Sequence, residues 1–403
     1  MKKSKLFGMA AMAAMMLGSC STDEVVNDYS PENAIQFGTY VGRNAESRAT
    51  VIDDTKLGTD GFGVFAYYTG KETFASSTVY PNFMYNQCVK KDTQKGWVYE
   101  PVKYWPNTNT DTESHKISFF AYAPWDANQA DDGDPNTTET NYTNLNLISN
   151  DATGSPTVSY LVDTDVTKQV DLLYAKVIDA TKQAVDGNVK FVFSHALSRI
   201  GFKVQALVDK VNSEPTQTTP DTNTDATIDL ASGTSVTVDE IKITFGSSYM
   251  DNGSLDLGTG NWTKGTQINN TSRSYTLNTN NFETITMTKE PQLLNKSDSY
   301  LLILPCQFDA LADNNSTDNE DKMDIEVKYT VTTTDANLVG GKSTIVNQVN
   351  SGKFTWTFEQ GKAYNFVLHL GMTSIKIDAQ VTAWDPTDGS DVVVNVPLNT
   401  TNP

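Results

Sequence analysis

The sequence is poor in cysteine and histidine, with three of each among 403 residues. Structural zinc sites need pairs or clusters of these residues, and neither a CxxC nor an HxxxH spacing occurs. Beyond the first twenty residues, no stretch approaches the 18 apolar residues of a membrane-spanning helix. We therefore expect no metal site and no membrane span in the remainder of the chain.

Positive charge is also scarce. Lys and Arg total 30 against 49 Asp and Glu, which gives a formal net charge of −19. An acidic surface repels the phosphates of nucleic acid and the headgroups of anionic lipid. We expect no nucleic-acid partner and no face that lies flat on a membrane.

The first residues form an export signal. Lys2, Lys3 and Lys5 precede an apolar run over residues 6–17, which is followed by Gly-Ser and then Cys20. A short apolar run with a basic start and a small-residue end is typical of a signal peptide. Because a cysteine stands at the boundary, we interpret it as a bacterial lipobox. We predict a signal peptide over residues 1–19 and a lipid anchor on Cys20, which tethers the chain to a membrane.

Enzyme motifs fail on their context. Gly341-Lys342-Ser343 resembles the end of a phosphate loop, but Ala336 stands where the first glycine is required and a strand former follows. A Gly-x-Gly at residues 61–63 opens no helix, so we interpret it as part of a strand. We expect no catalytic residue and no cofactor.

Histidine and acidic clusters have ordinary interpretations. His195 is in phase with Val189, Phe191 and Phe193 on one strand face, which favours a hydrogen-bonded core histidine. Three acids at 131, 132 and 134 match no calcium loop and favour a solvated loop, although calcium stays an alternative. Cys88 and Cys306 lie far apart in apolar surroundings, so both a disulfide and two buried thiols stay open.

Short β-branched and aromatic runs alternate with Asn, Asp, Thr, Ser and Gly clusters along the chain. This texture predicts strands at residues 62–67, 236–245, 323–329 and 364–368. Strands with one polar face form antiparallel sheets, and two such sheets form a sandwich. The length of the chain favours two domains, with a boundary near residues 199–201.

Seven sequence blocks, in order along the chain, resemble one family. They are Tyr104-Trp105-Pro106, Phe119-Phe120-Ala121-Tyr122-Ala123-Pro124, Asp171-Leu172-Leu173-Tyr174-Ala175, Phe193-Ser194-His195-Ala196-Leu197-Ser198, Leu301-Leu302-Ile303-Leu304-Pro305, Gly361-Lys362-Ala363-Tyr364 and Val381-Thr382-Ala383-Trp384. Each block is weak alone, but together they are similar to the fimbrillin family of Bacteroidales, the subunits of type V pili.

The resemblance implies an all-β fold with two transthyretin-like antiparallel β-sandwich domains in tandem, at residues 49–200 and 201–403. It also implies a lipoprotein of the outer membrane, whose N-terminal segment is removed by an Arg-directed maturation protease. Other fimbrial subunits would then be its partners, through strand exchange. Arg48, followed by Ala, is the expected cleavage site, and Arg43 is the alternative. Residues 20–48 would form the removable segment, with a weak strand at 34–41, unless that strand is permanent.

The last strong strand pattern lies at residues 391–398. Its alternating apolar side chains are Val392, Val394, Val396 and Leu398. At about 3.3 Å per residue the run spans roughly 26 Å, enough to fill a sandwich groove. We predict that it is a donor strand for a neighbouring subunit, the alternative being a strand of its own domain.

Three roles fit such a protein. A stalk subunit needs both a removable strand and a donor tail, and the sequence has a candidate for each. A tip adhesin, which meets a host or bacterial surface ligand, or an anchor subunit is the alternative. A surface glycan-binding lipoprotein would instead need a fixed N-terminal strand and an exposed row of aromatic side chains.

Overall fold

The structure is a computed structural model, and its described residues exclude most of the first fifty. They are 33–41, 52–106, 115–126, 145–147, 154–206, 234–246, 248–265, 273–285, 291–297, 299–307, 323–334, 336–350, 357–371, 375–383 and 396–397. Nearly all the regular structure among them is β-strand, which confirms the all-β prediction. All four strands that were predicted from alternation are present.

The largest sheet has seven strands. In spatial order they are β1 (Gln36–Val41), β9 (Asn188–His195), β8 (Leu173–Ala180), β5 (Lys116–Ala123), β2 (Phe62–Gly70), β3 (Met84–Asp92) and β4 (Gly96–Val98). The pairings within this sheet are antiparallel except for β1 with β9, which is parallel.

The central strands β2 and β5 of this sheet are buried on both faces, because they are apolar on both sides. On β2, Phe62, Val64 and Ala66 belong to one core, while Phe65 and Tyr67 belong to another. The first core lies among strands of the seven-stranded sheet itself. The second core continues into the C-terminal part of the chain. Phe62 and Gly63 of the Gly-x-Gly segment therefore belong to a buried strand, as predicted, and Gly61 directly precedes that strand.

Four further sheets complete the fold. A six-stranded sheet contains β15 (Gln292–Leu293), β10 (Ser198–Ala206), β16 (Leu301–Ile303), β21 (Lys362–Leu370), β22 (Ile375–Ala383) and β23 (Val396–Pro397). A four-stranded sheet contains β14 (Arg273–Asn278), β11 (Thr234–Phe245), β18 (Met323–Thr334) and β19 (Lys342–Asn350). Another contains β13 (Trp262–Lys264), β12 (Asn252–Asp256), β7 (Thr157–Leu161) and β6 (Leu145–Leu147). A short pair joins β17 (Cys306–Gln307) to β20 (Thr357–Phe358).

The boundary expected at residues 199–201 falls inside strand β10. Along the chain, β9 is the last strand of the seven-stranded sheet and ends at His195. Strand β10, the first strand of the six-stranded sheet, begins three residues later. One sheet draws strands from both sides of the boundary, because β7 pairs with β12. The division into two domains stays a prediction.

A short helix, α1 (Asp54–Asp60), precedes β2. The Asp53 carboxylate accepts hydrogen bonds from the backbone N–H groups of Thr55 and Lys56, which caps the helix. Leu57 lies on its buried side, within the core of the seven-stranded sheet. Single 3-10 turns lie at Phe74–Ser76, Val166–Lys168 and Thr279–Asn281. Sequence periodicity gave no sign of α1, because one apolar residue in seven has no helical period.

Candidate functional site

Strand β1 is the most unusual element of the described structure. It lies at the edge of the seven-stranded sheet and runs parallel to β9, with Gln36 opposite Asn188 and Val41 opposite Phe193. The two strands are about 150 residues apart in sequence. The weak strand predicted at residues 34–41 is therefore present.

The side chains of β1 alternate between core and solvent. Ile35, just before the strand, and Phe37 and Val41 within it are at most 5% exposed, while Tyr40 is 45% exposed. Phe37 is the centre of an aromatic cluster. Its ring stacks on Phe191 at a centroid distance of 5.7 Å and meets three more rings edge-on, those of Phe62, Tyr99 and Phe119. One face of β1 therefore fills an apolar groove beside β9.

The chain just before β1 is held on its other side by residues 99–105. The Ile35 N–H donates to the Lys103 carbonyl over 2.9 Å, and the Trp105 N–H donates to the Asn33 carbonyl over 2.9 Å. The Tyr99 hydroxyl donates to the Ile35 carbonyl over 2.9 Å. Burial raises the pKa of Tyr99 to about 12. The start of β1 thus bridges β9 and the segment after β4.

Side chains reinforce this end. Asn33 is buried, donates its amide to the Trp105 carbonyl over 3.1 Å and accepts from Lys182 Nζ over 2.9 Å. The Gly187 carbonyl accepts from both the Gln36 N–H and the Trp105 indole. Gly187 adopts a φ of 71°, which favours glycine. Trp105 lies in a block quoted for the family resemblance, but its contact with β1 was not predictable.

The far end of β1 lies near a buried acid and histidine. The Ile52 N–H donates to Asp171 Oδ2 over 2.9 Å, and His195 Nδ1 lies 2.9 Å from the same oxygen. His195 is the last residue of β9, two residues beyond the partner of Val41. Residues 42–51 therefore connect two points that are both anchored at the same end of β9. Arg43 and Arg48 belong to this connection and lie outside the described residues.

His195 is the core histidine that its strand phase predicts. Both it and Asp171 are buried, and each belongs to a block quoted for the family resemblance. The contact with Ile52 is the part that sequence reasoning missed, because it joins positions 119 residues apart. We interpret the pair as an anchor for the backbone at Ile52.

The predicted donor strand is described only at Val396 and Pro397. These residues form β23, which pairs antiparallel with β22 of the same chain, Val396 opposite Ala379 and Pro397 opposite Asp378. Val392, Val394 and Leu398 lie outside the described residues, as does Cys20. At these two residues the segment therefore pairs with a strand of its own chain, which agrees with the alternative to a donor strand.

The remaining motifs are structural. Gly340 and Gly341, with φ of 84° and 69°, lie in the turn between β18 and β19, as predicted, and Lys342 and Ser343 are the first residues of β19. Cys88 and Cys306 are free cysteines, and burial raises the pKa of their thiols to about 11 and about 12. The acids at 131, 132 and 134 lie outside the described residues. No group of three potential metal ligands occurs among those that are described.

Two features bear on a glycan-binding role. Of the tryptophans in the described ranges, Trp105 is buried and Trp97, Trp125 and Trp262 are half-buried. An open cavity of about 250 Å³ is lined by Val236, Val238, Phe282, Leu294 and five neighbouring residues. Its one aromatic side chain, Phe282, is itself buried. Neither feature forms an exposed row of tryptophan rings.

The described part of the chain contains no helix long and apolar enough to cross a membrane. Its fold and site define an all-β protein with an apolar strand seated at a sheet edge. Comparisons with known proteins agree with this class. The model of the fimbrillin-like family matches residues 47–384, and the chain belongs to that family.

Two relatives extend over most of the molecule. The fimbrium subunit Fim1C of Phocaeicola vulgatus is 26% identical over 96% of this chain and 97% of its own length. A crystal structure of a fimbrial protein from Bacteroides vulgatus covers 87% of this chain and 99% of that one, with a TM-score of 0.62 and 20% identity. The second likeness shows that the fold is shared. The chain is thus a fimbrillin-like cell-surface protein.

Proposed function

We propose that this chain is a stalk subunit of a cell-surface fimbrium that polymerises by strand exchange. In this scheme Cys20 carries the lipid for transit to the outer membrane, and cleavage after Arg48 releases β1. Residues 391–398 of a neighbouring copy then fill the groove that β1 leaves. Other fimbrial subunits and the maturation protease are its partners. The chain has no catalytic role.

The observation that carries the proposal is the position of β1. An edge strand can leave a sheet without separating other strands, and strand addition at a sheet edge is a known mode of protein association. The groove offers both main-chain partners and apolar contacts. On one side it offers the edge of β9, and on the other the Lys103 carbonyl and the Trp105 N–H.

The energies of leaving and entering are comparable. Withdrawal of β1 uncovers three buried side chains, at about 1.5 to 3 kcal/mol each. A donor strand with four alternating aliphatic side chains restores a similar amount. An empty groove is therefore unfavourable, and a processed subunit gains stability by accepting a strand from another copy.

The anchors at the end of β9 support a cut in residues 42–51. After cleavage at Arg48, the bond from Ile52 to Asp171 still holds the new N-terminal region in place. Cleavage at Arg43 would also free β1. The hydrogen bond between Ile52 and Asp171 is therefore compatible with a cut at either arginine and does not favour one of them.

Size-exclusion chromatography tests the proposal with three forms of the protein. The first begins at Cys20, the second at Ala49, and the third begins at Ala49 and lacks residues 391–403. We expect a ladder of oligomers for the second form alone. A ladder from the third form, or a second form that stays monomeric at high concentration, contradicts the proposal.

A further inference from the structure

The direction in which a donor strand can enter the groove follows from the hydrogen bonds of β1 and from one proline. The Gln36 N–H donates to β9 through the Gly187 carbonyl, whereas the Ile35 N–H points the other way, to Lys103. Because backbone N–H groups alternate along a strand, the N–H groups of Gly38 and Tyr40 also face β9. In β1, the residues bonded to β9 are therefore the ones whose side chains face outward.

Four core-facing positions of the groove match the four apolar residues of the donor. The groove positions are those of Ile35, Phe37, Thr39 and Val41, every second residue. Val392, Val394, Val396 and Leu398 have the same spacing. A donor that fills all four positions has one register in each direction, and in both of them its odd-numbered residues face outward.

Pro397 separates the two directions. In the parallel direction of β1, Pro397 takes the place of Tyr40, where the backbone N–H must donate to β9. Proline has no N–H, and its ring occupies the same space, so this direction loses a ladder bond inside a closed groove.

The antiparallel direction has the opposite bonding pattern. In an antiparallel ladder, the side chains of directly opposite residues share a face, and every second such pair exchanges both main-chain hydrogen bonds. Once β1 has left, the main-chain groups of β9 that face the groove are those of odd-numbered residues. Among these residues, Val189, Phe191 and Phe193 have core-facing side chains. The donor residues bonded to them are then the core-facing valines, and Pro397 points its missing N–H away from β9.

We infer that the donor strand of a second copy enters the groove antiparallel to β9, reversed with respect to β1. This inference rests on the proposed function, since it assumes that residues 391–398 occupy the groove. The reversed register places Leu398 at the Ile35 position and Val392 at the Val41 position. It also places Val393 opposite Val192, which is 64% exposed on β9.

Disulfide trapping in assembled fibres tests the direction. Val393→Cys is combined with Val192→Cys in one variant and with Asn188→Cys in a matched variant, where Val192 and Asn188 both lie on the outward face of β9. Fibres are grown from the full-length, protease-matured protein under mild oxidation and separated on non-reducing gels. We expect a ladder of covalent oligomers with Val192→Cys, and at most one tenth of that yield with Asn188→Cys.

The outcomes separate this inference from the function on which it rests. A ladder with Asn188→Cys shows that the donor is in the groove but runs parallel, which overturns the inference alone. A ladder with Lys190→Cys would show a shifted register, which overturns the four-position match. Fibres that form without a cross-link at any of the three positions contradict both the inference and strand exchange through this groove.

Discussion

The rings of Phe37 and Phe191 stack with an interplanar angle of 16°, and they belong to strands that run parallel at the edge of the seven-stranded sheet. One ring would leave with the removable segment, and the other stays in the core. Under the proposed processing, the contact exists in the precursor and is replaced in the fibre. This asymmetry between the two states makes a direct prediction about stability.

Phe37→Ala should destabilise the unprocessed protein by about 3 to 5 kcal/mol, because it leaves a cavity among four aromatic rings. Fibres made from processed protein should be unaffected, since residue 37 is absent from them. Denaturant unfolding of the precursor and thermal disassembly of the fibre measure the two effects. Tyr40→Ala, at the exposed face of the same strand, is the matched control. Equal loss of stability in precursor and fibre would show that β1 is retained.

The proposed lipid anchor on Cys20 gives a second prediction. Cys20→Ala should abolish incorporation of a fatty-acid analogue and should shift the protein out of the membrane fraction. Metabolic labelling in cells measures this directly. Cys88→Ala keeps the cysteine count equal and should label normally. Persistent labelling of the Cys20→Ala protein would disprove the anchor.

The strands of this protein were predictable because alternation is a local property. Ile241, Ile243 and Phe245, for example, alternate with polar residues and face inward in β11, and this pattern needs no knowledge of the partner strand. Val236 and Val238 also face inward, because a bulge between Val238 and Glu240 shifts the phase of the strand. The apolar face of residues 34–41 was visible in the same way.

The pairings were not predictable. The parallel contact of Phe37 with β9 and the contact of Asn33 with Trp105 join distant residues, and single-sequence patterns carry no information about such contacts. Helix α1 is a different case, because its sequence signal was an N-cap residue and not a helical spacing of apolar residues. Asp53 supplies that cap, and the residue type alone occurs in many loops of this acidic chain.

The buried Asp171 should contribute more to stability than an exposed aspartate. Asp171→Ala leaves the Ile52 N–H and His195 Nδ1 without their acceptor, at about 1 to 3 kcal/mol for each unsatisfied group. Asp165→Ala removes an exposed carboxylate that caps the 3-10 turn at Val166–Lys168, and it should cost less, about 0.5 to 2 kcal/mol. Thermal unfolding compares the two variants. His195→Gln should also lower stability, and an enzymatic activity lost with it at unchanged stability would refute the structural role.

The thiol of Cys306 predicts a pH dependence. Burial raises its pKa from 9.0 to about 12, so the folded state keeps a proton that the unfolded state releases above pH 9. The stability provided by this group is complete below pH 9 and falls as the pH rises towards 12, by roughly 1.4 kcal/mol per pH unit. Cys306→Ala should lack this part of the decline. Urea unfolding at pH 8, 9.5 and 11 measures the difference, and parallel curves for both proteins would contradict the burial of the thiol.

Assembly makes the last prediction, which concerns the face of the donor strand. Val394→Asp places a charge on the core-facing side of residues 391–398, and an unpaired charge in an apolar groove costs several kcal/mol. Val393→Asp adds the same charge to the same strand on the side that faces solvent. We expect the first variant to lose fibres and the second to keep them, with both monomers melting at the temperature of the unchanged protein. Electron microscopy and thermal melting of the same preparations measure both properties. A lowered melting temperature for Val394→Asp alone would place the strand in its own domain, beyond the pairing of β23 with β22. Normal fibres from a well-folded Val394→Asp protein would show that polymerisation uses another edge.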